Sequence, residues 1–235
     1  MTAKTSSRIK TELIAALDVQ NLRSAEMMLR ELKGLVSYYK VGLSLFAADG
    51  PRAIELIHKY GGQVFLDIKL HDGAQSAGDA VRIAARMGVF SISVNLSGGG
   101  KMLDAVEAVE KRPKLWGITV LTSMDHDDFK ILGFRRSVSD MVRDLSVIGM
   151  KHRMDGIICS GHEAMMLRGK LGKRVHLIVA GVRPVNMHSH DHKRVITPGD
   201  AAKIGADFVI VGRPITEAPS PSASAERILK ELKGR

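Results

Sequence analysis

Val64-Phe65-Leu66-Asp67-Ile68-Lys69-Leu70-His71-Asp72 opens as a run of apolar, β-branched and aromatic residues and closes in charge. The apolar half reads as a buried strand. Side chains alternate along a strand, so regular pleating puts Asp67 and Lys69 on one face. A buried face does not carry unpaired charges, because each costs several kcal/mol. One Asp-x-Lys alone reads as a structural salt bridge at a strand end. Asp-x-Lys-x-x-Asp is sharper, since it sets an ammonium between two acids, Asp67 and Asp72. Such a lysine is a proton donor and an electrostatic clamp. It cannot act as a Schiff-base nucleophile without losing its charge.

Working outward, the same kind of apolar run recurs through the chain. Strands are predicted at 13–18, 38–42, 64–72, 91–96, 115–121, 156–160, 176–180 and 208–212. Amphipathic helices are predicted between and after them, at 22–32, 51–60, 76–87, 102–111, 140–151, 163–171, 198–204 and 222–233. Asn21 suits the first helix as a cap and Pro51 the first turn of the second. Each strand is continuously apolar, as strands buried on both faces are. Eight strand–helix units without a composition break predict an α/β protein, a single (β/α)8 TIM barrel over residues 13–235 behind a short polar tail, 1–12. An open doubly wound sheet is the alternative. Its dinucleotide-binding form lacks support, because no Gly-x-Gly-x-x-Gly turn follows the first strand.

The 235 residues suffice for one large core. Cys159 is the single cysteine, so no disulfide framework exists and a reducing, cytoplasmic setting fits. Within its apolar run it reads as a small core residue. The tail has no apolar stretch of the signal-peptide kind, and no run approaches a membrane span. The net charge of +10 invites a nucleic-acid reading, but the basic residues are scattered over all the helices. Stacking aromatics are also few, which argues against nucleic acid. A positive field equally attracts small anions, and that is the reading adopted.

A barrel builds its site at the carboxyl ends of its strands. Those ends carry Asp18, Lys40, Asp67, Lys69, Asn95, Thr122, Arg183 and Arg213. Acid and base alternate round one rim, which solvation alone does not require. Gly212-Arg213-Pro214 follows the eighth strand, where barrels of this type commonly hold phosphate. The glycine admits an anion to the backbone and the arginine grips two oxygens. Arg183 supplies a second contact.

With those blocks in view, the chain resembles the orotidine 5′-phosphate decarboxylase family. The resemblance rests on Ala16-Leu17-Asp18, Tyr39-Lys40-Val41-Gly42, residues 65–72, Val120-Leu121-Thr122-Ser123-Met124, Gly181-Val182-Arg183-Pro184 and Val211-Gly212-Arg213-Pro214-Ile215-Thr216. It covers essentially the whole chain, and the separations between blocks agree with the bacterial members. The resemblance implies that Lys69 protonates carbon 6 of the pyrimidine of orotidine 5′-monophosphate as carbon dioxide leaves. Asp67 would then lie beside the substrate carboxylate, with Lys40 and Asp18 on the ribose hydroxyls. Thr122 and Ser123 would contact the substrate's base region, and Gly212, Arg213 and Arg183 its phosphate. It also implies a homodimer in which Asp72 reaches the neighbouring subunit's site, and no metal or organic cofactor.

Four positions depart from the family's usual pattern. Gly73-Ala74-Gln75-Ser76 replaces Ile-Pro-Asn-Thr, although Ser76 keeps a substrate-binding hydroxyl. Asn95 stands where a histidine is usual, Ala180 for proline, and His192 for a phosphate-gripping glutamine. An imidazole can still donate one N–H to phosphate. Asp72-Gly73-Ala74 is similar to the sister group, the magnesium-dependent sugar-phosphate decarboxylases and hexulose-phosphate synthases. Those hold the metal partly through an acid at the end of strand two, where this chain has the repelling Lys40. A non-catalytic nucleotide-phosphate binder is a further alternative, but binding alone would not need a carboxylate aimed at an anion. His188, His190 and His192 could bind zinc or nickel. With no strand to fix them on one face, that segment reads instead as a loop closing over phosphate. Asp125-His126-Asp127-Asp128 reads as a solvated turn and helix cap.

Overall fold

The computed structural model describes residues 11–184 and 195–234. Its strands are β1 (Glu12–Ala16), β2 (Tyr38–Gly42), β3 (Gln63–Leu70), β4 (Ser91–Asn95), β5 (Lys114–Ile118), β6 (Gly156–Ser160), β7 (His176–Ala180) and β8 (Phe208–Val211). They pair in chain order, all parallel, and β1 pairs with β8 to close the barrel. Outside run α1 (Leu22–Glu31), α2 (Leu43–Asp49), α3 (Pro51–Lys59), α4 (Ala74–Arg86), α5 (Gly99–Glu107), α6 (His126–Ile131), α7 (Val138–Lys151), α8 (Gly161–Leu171), α9 (Pro198–Ile204), α10 (Arg213–Thr216) and α11 (Pro221–Leu232). The predicted TIM barrel stands. No helix among the described residues is long and apolar enough to cross a membrane.

Local chemistry explains most boundaries. The Asn21 side chain accepts from the Ser24 N–H at 2.9 Å and opens α1. Asp125 and Asp128 form a reciprocal capping box on α6, as the acidic turn predicted. Three short helices escaped the sequence reading: α2, α6 and α10. Each spans two turns or fewer, too short for a periodic pattern to register. Thr11 and Glu12, expected in the polar tail, belong to the barrel. Thr11 is buried and donates to the Ala206 carbonyl at 2.7 Å, and Glu12 opens β1. Residues 1–10 lie outside the described residues.

Two apolar layers hold the barrel. Outward-facing strand residues such as Leu13, Ala15, Val41, Leu66 and Ile92 pack under the helices. Inside, Ile14, Phe65, Trp116, Ile178 and Phe208 fill the lower barrel with Tyr38 and Phe90 against them. Ring centroids there lie 4.6 Å apart for Phe65–Trp116 and 5.1 Å for Trp116–Phe208. These aromatics plug the barrel, so a cavity at the carboxyl ends of the strands has them as its base. Burial shifts two groups near this core. It pushes the Tyr39 phenol up to about 12. It also lowers the His176 imidazole below its ordinary value, and nearby Lys114 acts in the same direction.

Candidate active site

The pleat sends every second strand residue into the barrel. Two residues above Phe65 on β3 stands Asp67, and two above Tyr38 on β2 stands Lys40. The same step leads from Ile14 to Ala16, Trp116 to Ile118, Ile178 to Ala180 and Phe208 to Ile210. These upper residues line a cavity of about 550 Å³ at the carboxyl ends of the strands. Strand parity therefore converts an apolar plug into a site floor within one step.

Four charges form a continuous chain across that floor. Lys40 Nζ donates to Asp18 Oδ1 at 2.6 Å and lies 3.7 Å from Asp67 Oδ2. Lys69 Nζ donates to the same Asp67 oxygen at 3.0 Å. The two central side chains are nearly withdrawn from solvent, at 10% exposure for Lys40 and 12% for Asp67. Burying them costs several kcal/mol of lost hydration per ion, offset by these pairings. Gly42 closes β2 directly against the network. A Cβ there would lie 2.9 Å from both Lys40 Nζ and Asp18 Oδ1.

Lys69 shares the cavity face with Asp67, as expected, but its backbone departs from regular pleating to get there. Leu66 pairs with Ile92 and Leu70 with Val94, so β3 gains two residues on β4 between them. Within this bulge Lys69 takes φ 52, the left-handed region a lysine rarely occupies. Its backbone N–H donates to Ser93 Oγ at 2.8 Å. Bulges and unusual backbone angles of this kind often re-aim side chains at functional sites.

Arg183, just beyond β7, is buried at 6% exposure, with Nη1 donating to the Val182 carbonyl at 2.9 Å. Arg213 opens α10 directly after Gly212, and all three line the cavity. Thr122 and Ser123 line it too, from the loop beyond β5 rather than from the strand end, because β5 stops at Ile118.

The structure leaves other expected residues outside. Asp72 is exposed, its Oδ1 accepts from the Gly73 N–H at 2.6 Å, and it does not line this cavity. Among the described residues no ion pair joins it to Lys69, so within one chain the ammonium is not flanked by both acids of the motif. Ser76 is exposed on α4, away from the cavity. Asn95 turns from the rim and caps the next turn, its Oδ1 accepting from Ser97 Oγ at 2.8 Å and Ser97 N at 3.2 Å. His188, His190 and His192 lie outside the described residues.

Conversely, the sequence reading missed Ser93, the steric role of Gly42, and Glu217, which lines the cavity one turn after Arg213. A serine in the buried run Ile92-Ser93-Val94 was the one available signal. Cys159 is buried as expected, but it also lines the cavity beside Ile158.

Round the closed barrel, Arg183, Arg213, Asp18, Lys40 and then Asp67 with Lys69 follow one another on adjacent elements, from β7 through β8, β1 and β2 to β3. Cations after β7 and β8, where barrels commonly hold phosphate, and an alternating acid–lysine floor define an α/β-barrel enzyme for a small anionic substrate. Comparison with known proteins narrows that class. The chain belongs to the orotidine 5′-phosphate decarboxylase / HUMPS family, whose model matches residues 11–228. It is 38% identical over 235 residues to the orotidine 5′-phosphate decarboxylase of Geobacter metallireducens, covering 97% of this chain and 98% of that one. It is 36% identical over 225 residues to the Saccharophagus degradans enzyme of the same name, covering 94% of each. The crystal structure of orotidine 5′-phosphate decarboxylase from Lactobacillus acidophilus superposes with a TM-score of 0.82 at 29% identity, over 94% of this chain and 99% of that one.

Proposed function

We propose that this chain is an orotidine 5′-phosphate decarboxylase, a carboxy-lyase converting orotidine 5′-monophosphate to uridine 5′-monophosphate and carbon dioxide in pyrimidine synthesis. The observation that carries the reading is the order of charges round the rim. Arg183 and Arg213 suit a phosphate, Asp18 and Lys40 suit ribose hydroxyls, and Asp67 with Lys69 meets a base one strand further on. That sequence of partners matches the sequence phosphate, ribose, base in the substrate.

In the reaction the bond from carbon 6 to the carboxylate breaks and its electron pair stays on carbon 6. Carbon dioxide leaves, and the Lys69 ammonium gives a proton to the vinyl anion. The resulting amine regains its proton from solvent. Before that transfer, Lys69 opposes the charge developing at carbon 6 from a cavity whose floor is largely shielded from water. Asp67 faces the substrate carboxylate and disfavours its charged ground state. Asp67 is itself flanked by ammonium groups at 3.0 and 3.7 Å, where a divalent cation would have to approach. This favours a metal-free reaction over the sugar-phosphate alternative. Asp72, outside its own cavity, serves the site of a second copy in a homodimer. The family resemblance is what assigns Ser76, and His192 from outside the described residues, to the substrate.

The test is ultraviolet loss of orotidine 5′-monophosphate by purified protein in excess EDTA. Turnover in EDTA that disappears in a folded Lys69→Ala variant is the expected result. Retained turnover in that variant refutes Lys69 as the donor. Turnover of sugar phosphates with magnesium alone refutes the function.

A further inference from the structure

We infer that Ser93 is a positioning residue for Lys69, its hydroxyl oxygen holding the bulged backbone that aims the ammonium across the cavity floor. This rests on the reading of Lys69 as proton donor. In a regular parallel ladder each strand N–H meets a carbonyl of its neighbour. Between the Leu66–Ile92 and Leu70–Val94 pairs, three residues of β3 face the single residue Ser93 of β4. The ladder cannot supply all their partners, and Ser93 Oγ accepts the Lys69 N–H at 2.8 Å.

Three observations set this bond apart from ordinary strand packing. Ser93 is wholly buried, at 0% exposure, between the apolar Ile92 and Val94. Its neighbour two residues back on the same face, Ser91, has a buried hydroxyl that finds no partner in the structure. A hydroxyl on that face is thus not bonded by default. Lys69 is also the only non-glycine residue within a described strand to hold a positive φ, since Lys111 and Arg153 sit in turns outside strands. A backbone in that region relaxes unless its surroundings over-determine it. Alanine at 93 leaves the N–H unpaired and lets β3 straighten towards the ladder. Lys69 Nζ then leaves its place 3.0 Å from Asp67.

The experiment compares Ser93→Ala, Ser93→Thr and Lys69→Ala for orotidine 5′-monophosphate turnover, with thermal melts to establish folding. Ser93→Ala is expected to fold and to lose on the order of 10²-fold in kcat, the scale of an ångström's misplacement. KM should hold, because the phosphate and ribose partners stand on other strands. Ser93→Thr keeps the hydroxyl and should recover most of kcat. A folded Ser93→Ala with the kcat of the unsubstituted chain overturns the inference, as does a loss falling wholly on KM. A folded Ser93→Thr as slow as Ser93→Ala overturns it too. Should Ser93→Ala not fold, Ser93→Cys, with a weaker acceptor at similar volume, carries the same kcat test. Lys69→Ala separates the two claims. Turnover there refutes the donor assignment whatever Ser93 does, whereas turnover lost there but kept in Ser93→Ala refutes only the positioning role.

Discussion

Gly42→Ala tests whether the Asp18–Lys40–Asp67–Lys69 chain is tuned by shape as well as by charge. Gly42 has φ −89 and ψ 177, angles alanine adopts freely, so the change brings no backbone strain. What it brings is a Cβ 2.9 Å from Lys40 Nζ and from Asp18 Oδ1. Both atoms end flexible side chains, so the network gives way before the fold does. Lys40 Nζ already stands 3.7 Å from Asp67 Oδ2. Pushing it about 1 Å further weakens that attraction by about 1 kcal/mol at an effective dielectric near 20, or roughly fivefold in rate. Misalignment of the ribose partners raises the loss towards 10²-fold. The expected result is kcat/KM reduced by between about five- and a hundredfold, with a melting temperature close to that of the unsubstituted chain. Unchanged kcat/KM in the folded variant refutes the steric argument. Loss of the fold would show that the backbone, not the side chains, yields.

Other outcomes follow from the same geometry. Mixing Asp72→Ala with Lys69→Ala subunits, each inactive alone, should restore about a quarter of the sites through heterodimers carrying one intact composite site. Mixtures that stay inactive while exchanging subunits would remove Asp72 from the partner's site. Arg213→Ala should weaken kcat/KM by roughly ten- to a hundredfold, the worth of a charge-assisted phosphate contact, with the melting temperature little changed. A smaller loss than that of a surface arginine control such as Arg52→Ala refutes its phosphate role. His176 is held below its ordinary pKa chiefly by burial. The unfolded chain therefore takes up a proton there first as pH falls. The stability of the neutral imidazole is present above the ordinary histidine range and is lost as pH drops through and below it. Melts from pH 7.5 to 5.5 should show this decline, and it should flatten in His176→Phe, which keeps the ring beside Phe208.

Much of the site was legible because strand parity is a local property. Once β2 and β3 are recognised as strands of a barrel, Lys40 and Asp67 must face inward two residues above Tyr38 and Phe65. The barrel itself was equally legible, since eight continuously apolar strands need cover on both faces and the chain supplies a helix after each. Helix edges such as Asn21 at α1 and the acidic turn at α6 followed from side-chain oxygens placed to meet orphan N–H groups.

The remainder depended on atoms from different elements meeting in space. Asn95 was equally compatible with a rim contact and with a cap, and only the turn after β4 decided for Ser97. The pattern at 67–72 sets Lys69 between two acids on paper. The bulge against β4, and Ser93 across from it, decide that Lys69 meets Asp67 while Asp72 stays outside the cavity. Gly42 looks like any strand-end glycine until Lys40 and Asp18 are seen to close on the space where its Cβ would be. By itself the sequence determined which side chains face inward, because that obeys a two-residue period along one strand. Register, close approach and the partner of each charge were decided by the tertiary structure, because they depend on how neighbouring strands and loops are set against one another.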